Sequence, residues 1–341
     1  MKTTQLILIF LFVLTVSCKN DKSSKQPTET LKTTSQLPSF NEGAAKQNII
    51  NFVNAVTDSA SPDFVPVQDR IVCFDNDGTL WAEQPLPNQV YFTFDRIKEL
   101  AKTNPELGEK QPFKAVIEND METIKKFHTE DLLALVTKVN SVTKTEELDK
   151  IVNDWFATAQ HPILKKPYDK VVYQPMLELL DYLRANQFKI FIVSGGSVEF
   201  MRPFTQRVYG VSTENVIGSR MKMKAVRNDA ASDSLYVSRL PEFVFNDDKE
   251  GKVVSIQEFI GKKPIMVVGN SDGDLAMMEY AALQDRKTLM VYLKHTDGER
   301  EFDYSKGVII GTLKDGEEVA KKGGWTIIDM KTDWNTVFPI E

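Results

Sequence analysis

Cysteine is nearly absent: Cys18 and Cys73 are the only two in 341 residues, so no disulfide framework can supply the stability. Cys73 lies inside the apolar run Ile71-Val72-Cys73-Phe74, where a small buried hydrophobe is expected rather than a nucleophile. Histidine is scarce as well, and His128, His161 and His295 stand in no spacing that suggests zinc. Basic excess is missing: 42 Lys and Arg against 48 Asp and Glu leave a formal net charge of −6, with the lysines dispersed among acids. Such a surface offers nucleic acid no attracting field, and none is expected as a partner. The apolar run Leu6 to Val16 falls short of the ~20 residues a membrane-spanning helix needs. No internal repeat is visible. What remains is an ordinary globular composition, 42% hydrophobic and 26% charged, sufficient for one large domain or two smaller ones.

The start of the chain differs from the rest. Lys2, the apolar run and small Ser17 before Cys18 read as an export signal over residues 1–18. Thr15-Val16-Ser17-Cys18 resembles a bacterial lipobox, with Thr15 where Leu, Val or Ile is usual. The resemblance implies lipidation at Cys18 and a membrane anchor in the cell envelope, periplasmic or on the outer surface. A plain secretory signal with an incidental Cys18 is the alternative. Residues 19–43 carry Lys, Asn, Asp, Ser, Thr, Gln and Pro with few apolar anchors, which predicts a disordered tether. The spacing of Ile49, Ile50, Val53 and Val56 then suits an amphipathic helix.

Three short apolar runs each end abruptly in small or polar residues: Ile71–Phe74 before Asp75-Asn76-Asp77-Gly78-Thr79, Lys189–Val193 before Ser194-Gly195-Gly196-Ser197, and Pro264–Val268 before Gly269-Asn270-Ser271-Asp272-Gly273-Asp274. These read as buried parallel strands of a doubly wound, Rossmann-like α/β sheet, whose carboxyl ends are where ligands bind. One site drawn from three distant segments follows. Between the first two strands, Val116, Ile117, Met121, Ile124 and Phe127, then Leu132, Leu133, Leu135, Val136 and Val139, carry helical patterning. A helical insert is expected there. Residues 217–244 alternate around Asn228-Asp229 and Ser232-Asp233, as a small β-hairpin does.

The first strand end sets two carboxylates two residues apart, as a nucleophile and a proton donor for phosphoryl transfer require. Taken alone, Asp-Asn-Asp-Gly is also a turn sequence. A calcium loop is excluded, because Leu80 follows Thr79 where a Gly is needed, and the segment follows a strand rather than a helix. Asp75-Asn76-Asp77-Gly78-Thr79-Leu80 resembles the first motif of the haloacid dehalogenase superfamily. The second, third and fourth motifs are matched in order by Ser194, by Lys252 and by Gly269–Asp274. The likeness spans roughly Phe64 to Tyr292 and is closest to phosphoserine-phosphatase-like members.

This resemblance implies an aspartyl-phosphate phosphatase with a core of residues 44–84 and 174–341 and a helical cap of 85–173. It makes Asp75 the nucleophile and Asp77 the acid and base. Ser194, Gly195, Gly196, Gly78, Thr79 and Lys252 would hold a small phosphorylated substrate, and Asp75, Asp77, Asn270 and Asp274 would hold Mg²⁺. Asn270 departs from the family's usual Asp. Asp272 reads equally as a ligand or a helix cap, and Trp81, Glu83 and Phe92 as cleft or packing residues. Arg202 reads as a surface ion pair or a substrate contact. A non-catalytic phospholigand-binding lipoprotein and a phosphotransferase are the alternatives.

Overall fold

The computed structural model describes residues 36–139, 144–228, 234–306 and 315–340. The leader at 1–18, with Cys18, lies outside them. No helix among the described residues is long and apolar enough to cross a membrane.

The elements run α1 (Ala44–Thr57), β1 (Ile71–Phe74), α2 (Asn88–Ala101), α3 (Phe113–Glu118), α4 (Met121–Ile124), α5 (Thr129–Val139), α6 (Thr145–Thr158), α7 (Gln174–Ala185), β2 (Lys189–Ser197), α8 (Val198–Tyr209), β3 (Val216–Asn228), β4 (Ser234–Phe245), α9 (Glu250–Ser255), β5 (Met266–Gly269), α10 (Leu275–Ala282), β6 (Leu289–Lys294), α11 (Gly316–Lys322), β7 (Thr326–Asp329) and α12 (Met330–Asp333). The strands form one sheet in the order β4-β3-β2-β1-β5-β6-β7. All neighbours are parallel except the β3–β4 pair.

All four residues of β1 are buried. Its alternate residues feed opposite faces: Val72 and Phe74 pack with Ile192, Met266 and Val268, while Ile71 and Cys73 pack with Phe191, Val193 and Val267. Only a strand covered by helices on both sides needs such unbroken apolarity. Cys73 is fully buried, and burial pushes its thiol up, so it serves as packing. The chain leaves β1 for β2 on one side and β5 on the other, which opens a crevice at their carboxyl ends.

Between β1 and β2 the described elements are all helical, α2 to α6 over the insert and then α7. Asn119, at φ 56°, ends α3, and the Asp120 carboxylate caps α4 by accepting from the Thr123 N–H at 3.1 Å. The insert is clamped to α8 by aromatic packing: Phe156 meets Phe204 at 4.8 Å, and Phe92 meets Phe200 at 5.2 Å. Phe92 is thus a packing residue. The hairpin expected over 217–244 is present as β3 and β4, and it belongs to the main sheet, because β3 also pairs with β2.

Residues 19–35 of the expected tether lie outside the described residues, and the part from 36 onward is packed against the fold. Leu37 and Phe40 are buried, Phe40 packs edge-on against Trp334 at 6.2 Å, and the Ser39 hydroxyl donates to Glu178 at 2.6 Å. Composition hid this because the partners lie far along the chain, Glu178 139 residues from Ser39 and Trp334 nearly 300 from Phe40. Arg202 meets backbone, donating to the carbonyls of Thr213 and Val216, rather than an acid.

Candidate active site

The carboxyl ends of β1, β2 and β5 meet as the sequence pattern requires. At their centre is Lys252, on α9, almost fully buried. Its ammonium donates to Asp75 Oδ1 at 2.6 Å, to Asp274 Oδ1 at 2.7 Å and to the Val193 carbonyl at 3.0 Å. An ammonium has three hydrogens. All three are therefore engaged, and Lys252 can reach a phosphoryl oxygen only by releasing a partner, a stricter position than the phosphate-holding role expected of it.

Asp274 is occupied at both oxygens. Besides the lysine, it accepts from the N–H groups of Asn270 and Ser271 at 2.9 and 3.0 Å and from the Ser271 hydroxyl at 3.2 Å. It acts here as the anchor of the turn and of Lys252, its Oδ1 accepting from the lysine alone and its Oδ2 from the other three donors. Gly269 is required beneath it, because a Cβ there would fall 2.6 Å from the Asp274 side chain. Asp272 is a cap, but of α11: its Oδ1 accepts from the N–H groups of Asp315 and Gly316 at 3.2 and 2.9 Å.

Asp77 is held by the indole N–H of Trp81 at 2.9 Å. Its other oxygen faces β2: a Cβ on Gly196 would lie 3.6 Å from both Asp77 Oδ2 and Ser194 Oγ. The nucleophile turn and the Ser194 strand thus confront each other across one cavity of about 810 Å³, which Asp75, Asp77, Glu83, Ser194 and Lys252 all line. Gly195 and Gly196 also line it, in the extended tail of β2; the helix opens only at Val198, so no helix N-terminus forms at the glycines.

Gly78 and Thr79, expected on the phosphate, turn inward instead. The Gly78 N–H donates to the Trp81 carbonyl at 2.9 Å and the Thr79 N–H to the Asn76 carbonyl at 3.2 Å. Gly78 adopts φ 72°, and a Cβ there would sit 2.2 Å from Asn270 Nδ2, so only glycine fits. The Thr79 hydroxyl donates to Asn270 Oδ1 at 3.0 Å, and Asn270 Nδ2 donates to Glu83 Oε1 at 3.1 Å. Asn270 is therefore oriented from both ends.

Glu83 proves to be a cleft residue, and His295 is a participant that the sequence did not single out. His295 follows β6 directly, at the same sheet edge as the other site residues. Its Nε2 meets the Gly78 carbonyl at 2.7 Å and its Nδ1 meets Glu301 at 3.1 Å, while Glu301 accepts from the Tyr173 hydroxyl at 2.9 Å. The polar pair Lys294-His295 after the apolar run Leu289–Leu293 was the available signal.

The cluster is short of positive charge. Burial, then Asp274, drives the Asp75 carboxyl well above the usual range against the pull of Lys252. Burial raises Asp77, partly offset by its bond from Trp81. Burial, Asp77 and Asp75 raise Glu83. Burial pulls the Lys252 ammonium down, but Asp274 and Asp75 outweigh it and its net shift is upward. Among the described residues no three His, Cys, Asp or Glu side chains are disposed to enclose a metal by themselves. An oxygen-only donor set with few carboxylates nonetheless suits Mg²⁺, which keeps waters and substrate oxygens in its shell. Asp75 and Asn270 fit that requirement.

A doubly wound sheet with carboxylates gathered around a buried lysine at its switch point is an α/β fold with a candidate active site at the carboxyl edge of its strands. The chain belongs to the haloacid dehalogenase-like hydrolases, whose family model matches residues 72–279. No curated protein sequence matches it. Among solved structures it is similar to a conserved protein of unknown function from Anaerococcus prevotii DSM 20548, at 17% identity and a TM-score of 0.51 over 82% of this chain and 90% of that one. A protein of unknown function from Bordetella pertussis Tohama I aligns at 15% identity and TM-score 0.47, covering 76% and 98%. A phosphoserine phosphohydrolase-like protein from Francisella tularensis subsp. tularensis SCHU S4 aligns at 14% identity and TM-score 0.38, covering 77% and 95%.

Proposed function

We propose that the protein hydrolyses phosphate monoesters through a phosphoryl group carried on Asp75. The observation that carries this reading is the convergence of Asp75, Asp77 and Ser194 on one cavity, with Lys252 2.6 Å from the Asp75 carboxylate. Asp75 attacks phosphorus as the ester P–O bond breaks, and the Asp77 carboxyl gives its proton to the departing alcohol. Asp77, now a carboxylate, takes a proton from water, which attacks the aspartyl phosphate and frees orthophosphate and Asp75. Ser194 offers a hydroxyl to a phosphoryl oxygen. Lys252 fixes the rotamer of Asp75 and offsets its charge. Trp81 fixes Asp77.

The Asp75 carboxylate, the Asp77 carbonyl and the Asn270 amide oxygen would hold Mg²⁺, with Glu83 supplying through Asn270 the negative charge that an Asp would have carried. When bound, the ion screens the phosphate from the attacking carboxylate. Lipid anchoring at Cys18 in the bacterial envelope belongs to the same proposal; a Cys18→Ser variant should leave the membrane fraction.

The test is orthophosphate release from a panel of phosphate esters with Mg²⁺. Asp75→Asn should lower turnover to background while its melting curve stays cooperative. Retained turnover in that variant would remove the mechanism.

A further inference from the structure

We propose that the substrate is the monophosphate of an alcohol with a substantial apolar body and no second acidic group, an inference that rests on the hydrolase reading above. Two observations on the cavity point to it. The first is its charge. Apart from the catalytic carboxylates, the described lining carries Asp248, Asp272 and Asp315, while its only cations are Lys249 and Lys252, and no arginine is among them. Lys252 is engaged by Asp75, Asp274 and the Val193 carbonyl, and Lys249 is exposed at the mouth. A carboxylate or second phosphate on the leaving group would meet acids with no planar fork to receive it. An uncharged or cationic leaving group meets no such penalty.

The second observation is the wall contributed by the insert and the hairpin. Pro87 and Val90 at α2, Leu132, Leu133 and Val136 on α5, and Phe243 on β4 form an apolar side facing the polar floor. Leu133 and Phe243 are 37% and 36% exposed, where the core leucines and phenylalanines are close to zero. Folding alone leaves these two side chains wet. Leu133 also lines a neighbouring groove of about 630 Å³, where Phe113, Ala134 and Pro241 carry the apolar track outward beside the polar Glu130, Thr137 and Lys138. A hydrocarbon body leaving the phosphoryl site along this wall buries both surfaces.

The experiment measures kcat/KM for n-alkyl phosphates from ethyl to octyl, with glycerol 3-phosphate, 3-phosphoglycerate and O-phosphoserine alongside, using the full chain and Mg²⁺. The expected result is a rise of up to about fourfold per added methylene until the wall is covered. The two carboxylate-bearing esters should fall at least tenfold below an alkyl ester of similar length. Leu133→Arg should lower the ratio of octyl phosphate to 3-phosphoglycerate at least tenfold. A flat series, or a preference for the carboxylate-bearing esters, overturns the substrate class while leaving the hydrolase reading in place. No phosphate release from any ester overturns the hydrolase reading and this inference with it. Because the series uses the unaltered protein, a Leu133→Arg variant that fails to fold leaves the decision intact.

Discussion

A single ammonium keeps two buried carboxylates from facing each other. Lys252, Asp75 and Asp274 have almost no solvent contact, so their mutual attraction is weakly screened and each is costly to leave alone. Lys252→Ala should lower folding stability by about 3–5 kcal/mol in denaturant titration and abolish turnover. The His295 contact is of another kind, because it restrains backbone rather than a reacting group. With Nε2 on the Gly78 carbonyl, His295 holds the turn that carries Asp75 and Asp77. His295→Phe would keep a ring against Tyr304, on which His295 stacks at 4.0 Å, but would orphan the carbonyl. The expected cost is about 1–3 kcal/mol in stability. A fall in kcat on the order of ten- to a hundredfold, with KM little changed, is expected in steady-state kinetics.

At the scale of elements, the three strands that carry the site were legible because each buries both faces and then stops at a polar residue. The unbroken run Ile71–Phe74 does not suit a half-exposed strand, which would alternate apolar with polar residues. Strand β6 and the edge strand β7 announce themselves less clearly, and the His295–Glu301–Tyr173 chain depends on contacts between segments no periodicity connects. Asp272 had two readings, and distance in sequence decided between them: the helix it caps begins 44 residues later. The stretch before α1 shows the same limit. A sparse composition suggested a tether, yet Leu37 and Phe40 find a pocket beside Trp334. Phe40→Ala should therefore cost about 3–5 kcal/mol, read as a lower urea midpoint, where substitution in a true linker would change nothing.

For the whole molecule, the imbalance of charge in the crevice links folding to a cation. Asp75, Asp77 and Glu83 are all pushed above their ordinary range where they crowd together out of water. A divalent ion that binds the folded chain alone should raise the melting temperature. Saturation at about a hundredfold over its dissociation constant would add about 2.7 kcal/mol. Calorimetry with and without Mg²⁺ measures this, and Asp75→Asn should shrink the gain; an unchanged melting point across the titration would count against the ion site.

The saturated ammonium of Lys252 also bears on what happens after turnover. Free orthophosphate entering the crevice finds no arginine among the described lining residues, the buried Lys252 already engaged by three partners, and Lys249 only at the exposed mouth. The resting enzyme should hold its inorganic product loosely, so reaction progress curves should stay linear as phosphate accumulates, and exhaustion of the ester alone should bring them to a halt.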